Sequence, residues 1–226
     1  MLCRWEDLPD NMRIDAVKPY YNSLHKKRLS LICKSFFDRF MALIMLICFL
    51  PIFLIISLFI YFDSPGPIFF TQRRITQYGR SFKIYKFRTM VVNAEKVGTM
   101  VTSENDKRIT NIGNKLRKCR LDELPQLINV IKGEMSFVGT RPEVPKYVAQ
   151  YNEEMLATLL LPAGITSVAS IEYKDEDKLL SNSKDVDKTY INEVLPQKMV
   201  YNLDSVINYS FINDLKTMIN TVIAVL

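Results

Sequence analysis

Phe40-Met41-Ala42-Leu43-Ile44-Met45-Leu46-Ile47-Cys48-Phe49-Leu50-Pro51, continued by Ile52 to Phe62, is an uncharged apolar run with proline at its centre. A helix needs roughly 20 apolar residues to cross a bilayer, so this run is long enough to enter one. Basic residues flank it on both sides: Lys26, Lys27, Arg28, Lys34 and Arg39 before, Arg73, Arg74, Arg80, Lys83, Lys86 and Arg88 after. Lys and Arg beside a membrane segment favour the cytoplasmic face, so a straight span strands one cluster on the wrong side. A helix that dips in, breaks and returns keeps both clusters on one face. Pro51 lacks a backbone N–H and crowds the preceding turn, which makes it the expected apex. An ordinary span with a tolerated proline is the alternative reading.

The 226 residues suffice for one compact domain beside this element. The net charge of +6 gathers next to the apolar run, which suits anionic headgroups or phosphate-bearing substrates and argues against a nucleic-acid partner. No secretory signal is visible in the mixed-charge N-terminal residues, so the polar part is expected to face the cytoplasm. Cys3, Cys33, Cys48 and Cys119 are scattered and form neither a zinc motif nor a disulfide framework. His25 is the sole histidine, which argues against Ser-His-Asp catalysis and multi-histidine metal sites. Acid–base or nucleophilic chemistry must come from carboxylates, lysine, tyrosine or a lone cysteine.

The expected fold is a membrane-associated α/β protein. Residues 1–24 read as a polar leader, 25–63 as a re-entrant helix, and 64–226 as a small cytoplasmic catalytic domain with interfacial C-terminal helices. Asp63-Ser64-Pro65-Gly66-Pro67 is a turn by composition. Ile68-Phe69-Phe70 and Phe82–Phe87 read as strands, the second alternating apolar and basic. Residues 91–114 read as loop with a short helix near Asn93–Val97. A helix is expected from Asp122 to Ile131, ended by Gly133, and another over Tyr147–Leu161, stopped by Pro162. Residues 172–188 read as a solvated acidic loop. Leu203, Val206, Ile207, Phe211, Leu215, Met218, Ile219, Val222 and Ile223 are expected on one helical face, in one or two pieces, packed on the core or laid on a bilayer.

Leu121-Asp122-Glu123-Leu124-Pro125-Gln126 is the strongest catalytic candidate. Proline belongs in a first helical turn, so Pro125 is expected to set both carboxylates at a helix N-terminus, where the dipole favours negative charge. Adjacent helical residues point about 100° apart, so one carboxylate can attack phosphorus while its neighbour holds magnesium. An isolated Asp-Glu pair in a first turn ordinarily only caps its helix, and this pair therefore needs company. Lys86-Phe87-Arg88-Thr89-Met90 and Gly139-Thr140-Arg141-Pro142 supply cations whose geometry matches phosphate, and Arg108, Lys115, Arg117 and Lys118 lie just upstream. No G-x-G-x-x-G or Walker A loop occurs, so a Rossmann or P-loop nucleotide site is not supported.

From about Lys27 to the C-terminus, and most specifically through Tyr147, these ordered blocks resemble the bacterial sugar transferases, the monotopic polyprenyl-phosphate phosphoglycosyl transferases. The blocks are the basic entry with Phe37-Asp38-Arg39, the proline-broken helix, Ser64-Pro65-Gly66-Pro67-Ile68-Phe69, Phe82 to Met90, Asp106-Lys107-Arg108-Ile109-Thr110, Leu121 to Leu127, and Lys132 to Gly139. The resemblance implies a re-entrant helix in a bacterial inner membrane with the catalytic domain on its cytoplasmic face. It implies transfer of sugar-1-phosphate from a UDP-sugar to polyprenyl (undecaprenyl) phosphate, with Mg²⁺ as cofactor and release of UMP. Asp122 matches the family nucleophile, which forms a covalent phosphosugar, and Glu123 matches the magnesium-binding partner. Lys86, Arg88, Arg108, Arg117 and Arg141 are the candidates for substrate phosphates. The product would begin an O-antigen, capsule, exopolysaccharide or glycoprotein glycan, with downstream glycosyltransferases as further partners.

The chain departs from the family pattern at Thr140, where proline is common, and at Arg74-Ile75-Thr76, where a glycine is usual. It departs again at Leu161-Pro162-Ala163-Gly164-Ile165-Thr166-Ser167-Val168-Ala169-Ser170, which lacks the usual arginine, tryptophan and glutamine. These changes bear on nucleotide and sugar contacts rather than on the dyad. Two rival readings are a single-step transfer with Asp122 as base or metal ligand, and a catalytically silent scaffold that recruits glycosyltransferases.

Overall fold

The computed structural model describes residues 2–94, 106–176 and 185–225. The apolar run forms two helices, α2 (Arg28–Cys48) and α3 (Leu50–Asp63), preceded by α1 (Lys18–Lys26). Neither α2 nor α3 alone is long and apolar enough to cross a membrane; together they pass that test, bent by 61°. The bend falls at Phe49, and Pro51 sits in the first turn of α3, where its missing N–H costs nothing.

Each arm lays one stripe on the folded body. Leu31, Lys34, Asp38 and Ala42 are the buried residues of α2, at helical spacing, and Phe53, Ile56 and Ile60 are those of α3. Their other faces expose Phe36, Phe40, Leu43, Ile47, Leu54 and Leu58 among others. The two buried charges of α2 are matched. Lys34 pairs with Asp38 at 3.4 Å and with Asp214 at 2.7 Å, while Asp38 accepts a 2.6 Å hydrogen bond from Ser136.

The body carries two small sheets. Strands β1 (Phe69–Ile75) and β2 (Ser81–Phe87) form an antiparallel hairpin, with Phe70 opposite Lys86 and Arg74 opposite Phe82. Strands β3 (Met135–Val138) and β4 (Ala163–Thr166) pair in parallel. Around them run α4 (Asn111–Lys118), α5 (Gln126–Ile131), α6 (Pro145–Val148), α7 (Val168–Glu172), α8 (Val186–Thr189), α9 (Leu195–Ile207) and α10 (Phe211–Val225). The segment after β3 stitches the sheets together. Gly139 N–H donates to Thr166 and Gly164 N–H to Thr140, while Ile75 N–H donates to Glu143 and the Arg74 guanidinium to the Pro142 carbonyl, all at 2.9–3.0 Å. A Cβ on Gly164 would lie 2.2 Å from the Gly139 nitrogen, so this close approach requires glycine.

Several elements differ from the sequence expectation. The expected Asp122–Ile131 helix is two pieces: Leu121–Glu123 is a separate 3₁₀ turn, and α5 begins only at Gln126. Arg120 enters the turn with φ 55°, and Pro125 has no N–H to continue a helical ladder. Gly133 ends the helix as expected, with φ 75°. The expected Tyr147–Leu161 helix breaks between α6 and the 3₁₀ segment Met155–Leu160, where the Asn152 side chain accepts from Met155 N–H and starts a new turn. The C-terminal apolar residues do not share one face. Val206 is buried in α9, whereas Ile219, Val222 and Ile223 point outward from α10. The acidic stretch 172–188 is not simply solvated: Glu176 pairs with Lys198, and Asp187 with Lys146. Part of that stretch, and most of the helix expected near Asn93–Val97, lies outside the described residues.

The leader also departs from a polar appendage. Leu2, Leu8, Met12, Val17, Tyr21 and Leu24 form one core cluster with Ala157, Leu159, Leu160, Val206 and Tyr209. Leu24 is 0% exposed and Leu29 80%. Leu24→Ala should therefore destabilise the protein by about 2–5 kcal/mol and lower its melting temperature in detergent, with Leu29→Ala near neutral. Equal melting temperatures for the two variants would refute this packing.

Candidate active site

The site grows from a buried asparagine. Asn129, on α5, donates to the Lys83 carbonyl at 2.8 Å and to Glu134 at 2.7 Å, and accepts from Tyr85 N–H at 3.0 Å. These bonds fasten α5 along the backbone of β2, and the 3₁₀ turn just before α5 is thereby set against Lys86. Lys86 Nζ lies 2.7 Å from Glu123 Oε1. Arg141, carried by the stitching segment, grips the same carboxylate with both terminal nitrogens: Nη2 meets Oε1, and Nη1 meets Oε2 at 3.3 Å. The planar fork of arginine matches a carboxylate in this way.

Asp122 and Glu123 are both buried, yet their surroundings differ. Glu123 is held from two sides. The Asp122 carboxylate has no hydrogen-bond or ion-pair partner among the described residues, and Lys86, Arg117 and Arg141 act on it only through their charge. The consequences for ionisation are opposite. Burial is the largest influence on Asp122 and raises its carboxyl above the ordinary value; Lys86 opposes this and the Glu123 charge reinforces it. Burial also pushes Glu123 upward, but Arg141 and Lys86 together override it and hold that carboxyl well below the usual range. Two neighbouring carboxylates with environments that push them apart are the arrangement expected of a divided chemical role.

Of the other candidate cations, Arg117 on α4 is near enough to lower both Asp122 and Asp106. Arg108 is turned to Asp106, which it contacts through Nε at 2.9 Å, and to the Ala94 carbonyl at 2.9 Å. Arg88 is buried at the end of α3, donating to Ser64 O at 2.6 Å and Ile60 O at 3.3 Å. There it complements the negative end of that helix. A Cβ at Gly66, whose φ is 125°, would fall 2.5 Å from Arg88 Nη1, so that turn is shaped around the guanidinium. The geometry thus brings Lys86, Asp122, Glu123 and Arg141 together, with Arg117 nearby, and turns Arg88 and Arg108 to other partners.

Sequence reasoning passed over Glu143 and Tyr190, and placed Arg74 only in the basic flank and at a departure from the family pattern. Arg74 bonds the Pro142 carbonyl, and Glu143 is buried and accepts a hydrogen bond from Tyr190 O–H, itself 3.4 Å from Lys198 Nζ. These contacts brace the chain immediately after Arg141. The glutamate directly after the Arg-Pro pair was the available signal, though its burial was not.

The model for the bacterial sugar transferase family matches residues 29–226. The chain belongs to this family. Relatives include the UDP-N-acetylgalactosamine-undecaprenyl-phosphate N-acetylgalactosaminephosphotransferase of Aeromonas hydrophila, 38% identical over 66% of this chain and 36% of that protein. The UDP-glucose:undecaprenyl-phosphate glucose-1-phosphate transferase of Xanthomonas campestris pv. campestris is 34% identical over 86% of this chain and 39% of its own length. The exopolysaccharide production protein PSS of Rhizobium leguminosarum bv. phaseoli is 45% identical over 50% of this chain and 57% of its own length. The alignments thus cover less than two thirds of each of these relatives. Of the sugar transferase match, residues 2–28 lie outside, although they pack into the same body.

The two carboxylates should answer differently to neutralisation. Glu123 has a depressed folded-state pKa, so its contribution to stability is present above the unfolded value and is lost as pH falls through the folded one. Asp122 has a raised pKa, so its ionisation near pH 7 works against the fold. Asp122→Asn should melt at or above the wild-type temperature at pH 7, and Glu123→Gln clearly below it. The loss for Glu123→Gln should be on the order of 1–3 kcal/mol, less than for a fully buried pair. The reason is that the Lys86 and Arg141 side chains keep 21% and 32% of their exposure. Thermal melting of the two variants checks the order; the reverse order would refute the assignment of environments.

Proposed function

We propose that this member of the bacterial sugar transferase family is a phosphoglycosyl transferase that moves sugar-1-phosphate from a UDP-sugar to polyprenyl phosphate. The observation that carries the reading is the asymmetry of the dyad, an Asp122 carboxylate without a partner among the described residues beside a Glu123 held by Lys86 and Arg141. The names of relatives acting on undecaprenyl phosphate support the same class of reaction.

In this reading an Asp122 oxygen attacks the sugar-bearing phosphorus. The bond from that phosphorus to the bridging oxygen breaks, and its electron pair leaves with UMP. Asp122 then carries the phosphosugar as an acyl phosphate. A polyprenyl phosphate oxygen attacks the same phosphorus, and Asp122 departs as a carboxylate, leaving polyprenyl-diphospho-sugar. Lys86, Arg141 and Arg117 counter the charge on the diphosphate. Among the described residues no group of three or more His, Cys, Asp or Glu side chains is placed to cage a metal. A Mg²⁺ ion, however, takes one or two carboxylates together with substrate phosphates, and the dyad fits that partial role. Glu123 would hold the ion, which would neutralise phosphate charge.

The bent pair α2–α3 is the proposed membrane element, re-entrant with its apex near Phe49 and Pro51. Both of its outer ends are fastened to one body: Lys34 and Asp38 by Asp214 and Ser136, and Asp63 by Ile112 N–H at 3.2 Å. A straight span would carry one end about 30 Å away. The outward residues Ile212, Ile219, Val222 and Ile223 of α10 add an apolar face suited to the bilayer surface. The body would lie on the cytoplasmic face of a bacterial inner membrane, and the product would start a surface glycan.

Nucleotide release from nanodisc-held protein tests this function, using a panel of UDP-sugars with Mg²⁺ and polyprenyl phosphate. UMP release abolished by Asp122→Asn is the expected result, with a phosphosugar adduct on Asp122 by mass spectrometry when the lipid is withheld. UDP release would refute phosphosugar transfer, and turnover without an adduct would favour single-step transfer. Flux through the pathway unaffected by Asp122→Asn would favour a scaffold. The acid limb of the rate profile should lie above the ordinary aspartate value and move to higher pH in Lys86→Met, because Lys86 lowers the Asp122 pKa. An acid limb unmoved in that variant would refute the pairing of this titration with Asp122.

A further inference from the structure

We propose that Glu123 is closed to a divalent cation by the protein's own Lys86 and Arg141, and that a diphosphate ligand opens it by drawing those two side chains away. This rests on the reading of Glu123 as the metal-holding carboxylate. The geometry is specific. A carboxylate has about four lone-pair positions. Lys86 Nζ and Arg141 Nη2 both occupy Oε1, and Arg141 Nη1 occupies one position of Oε2, so the position left over lies directly beside two positive charges. A cation arriving alone would have to displace these contacts while remaining beside the two displaced positive charges.

The alternatives for Lys86 and Arg141 in the ligand-free protein are few. Asp122 is the other carboxylate that acts on Lys86, and it already feels Arg117 as well, while Glu176 and Glu143 act on Arg141. Lys86, Arg117 and Arg141 all act on Asp122, so a lone divalent cation at the dyad would add its charge beside three cations. A diphosphate changes that balance. Its oxygens offer Lys86 and Arg141 charge-assisted partners of the kind both side chains bind well. Once they turn to it, Glu123 becomes available, and the same phosphate oxygens complete the cation's coordination. Metal and nucleotide binding are then coupled reciprocally, each strengthening the other. The backbone around Arg141 is fixed by Arg74 and Ile75, so the change needs only side-chain rotation.

The test is binding of Mn²⁺, followed by the electron paramagnetic resonance of the free ion, to full-length detergent-held protein at pH 8. The expected result is weak binding to the wild type alone and tightening by about tenfold or more when UDP is added, beyond the affinity of UDP itself for the ion. Lys86→Met and Arg141→Met, checked for folding by melting, should each bind Mn²⁺ more tightly than the wild type without nucleotide. A purely structural role for these side chains would not increase metal affinity. Wild-type binding that is equally tight with and without UDP would overturn the coupling while leaving the metal role of Glu123 intact. Glu123→Gln binding Mn²⁺ as the wild type does would instead overturn the metal role itself, and the proposed opening with it.

Discussion

A buried glutamate with two cations on it is the constraint around which the body is assembled. Glu123 cannot remain charged inside the protein without partners, and its partners come from distant parts of the chain. Lys86 arrives on the β-hairpin and Arg141 on the segment that joins the hairpin to the parallel pair. Asn129 fixes the first approach by bonding three groups at once. The backbone bonds of residues 139–143 to β1 and β4 fix the second. Each two-stranded sheet is too small to stand alone, and the ion cluster lies where they are joined.

The bent apolar helix pair was legible because composition alone marks it: an uncharged run, proline at its middle, basic residues beyond. The dyad was legible through an ordered set of motifs rather than through any local rule. What the sequence did not disclose depends on contacts between distant residues. Nothing in Lys86-Phe87-Arg88 says that its lysine reaches Glu123 while its arginine turns back to the end of α3. Residues two apart in a strand share a face, so alternation alone would set both beside the dyad; the strand ends at Phe87, and packing beyond that point turns Arg88 away. The positive φ of Arg120 likewise has no local signature, and it moved the carboxylates out of the helix to which Pro125 had assigned them.

The packing of residues 2–24 is hidden from the sequence for a related reason. Their apolar residues are separated by charges, so no periodic face emerges, yet six of them enter one cluster with the chain's C-terminal half. Two polar contacts from the same region reinforce that docking. Ser23 Oγ and Lys27 Nζ each donate, at 2.6 Å, to the carbonyls of Ile207 and Tyr209 at the end of α9. These are carbonyls that a helix terminus leaves unpaired, and a lysine there also complements the helix dipole. The N-terminal residues thus set the elbow from which α10 departs.

Cys48 ends α2, one residue before the bend, and is exposed. Cys119 is exposed at the end of α4, on the polar body. The chain therefore carries one exposed thiol at the bend and another on the polar body, with a third, Cys33, exposed along α2 and to be replaced before labelling. With the bend immersed in lipid, a fluorophore on Cys48 would report the hydrocarbon interior and one on Cys119 the aqueous phase. The difference between them gives a ruler for how far the enzyme sinks, and for how that depth changes as bilayers of different thickness are supplied.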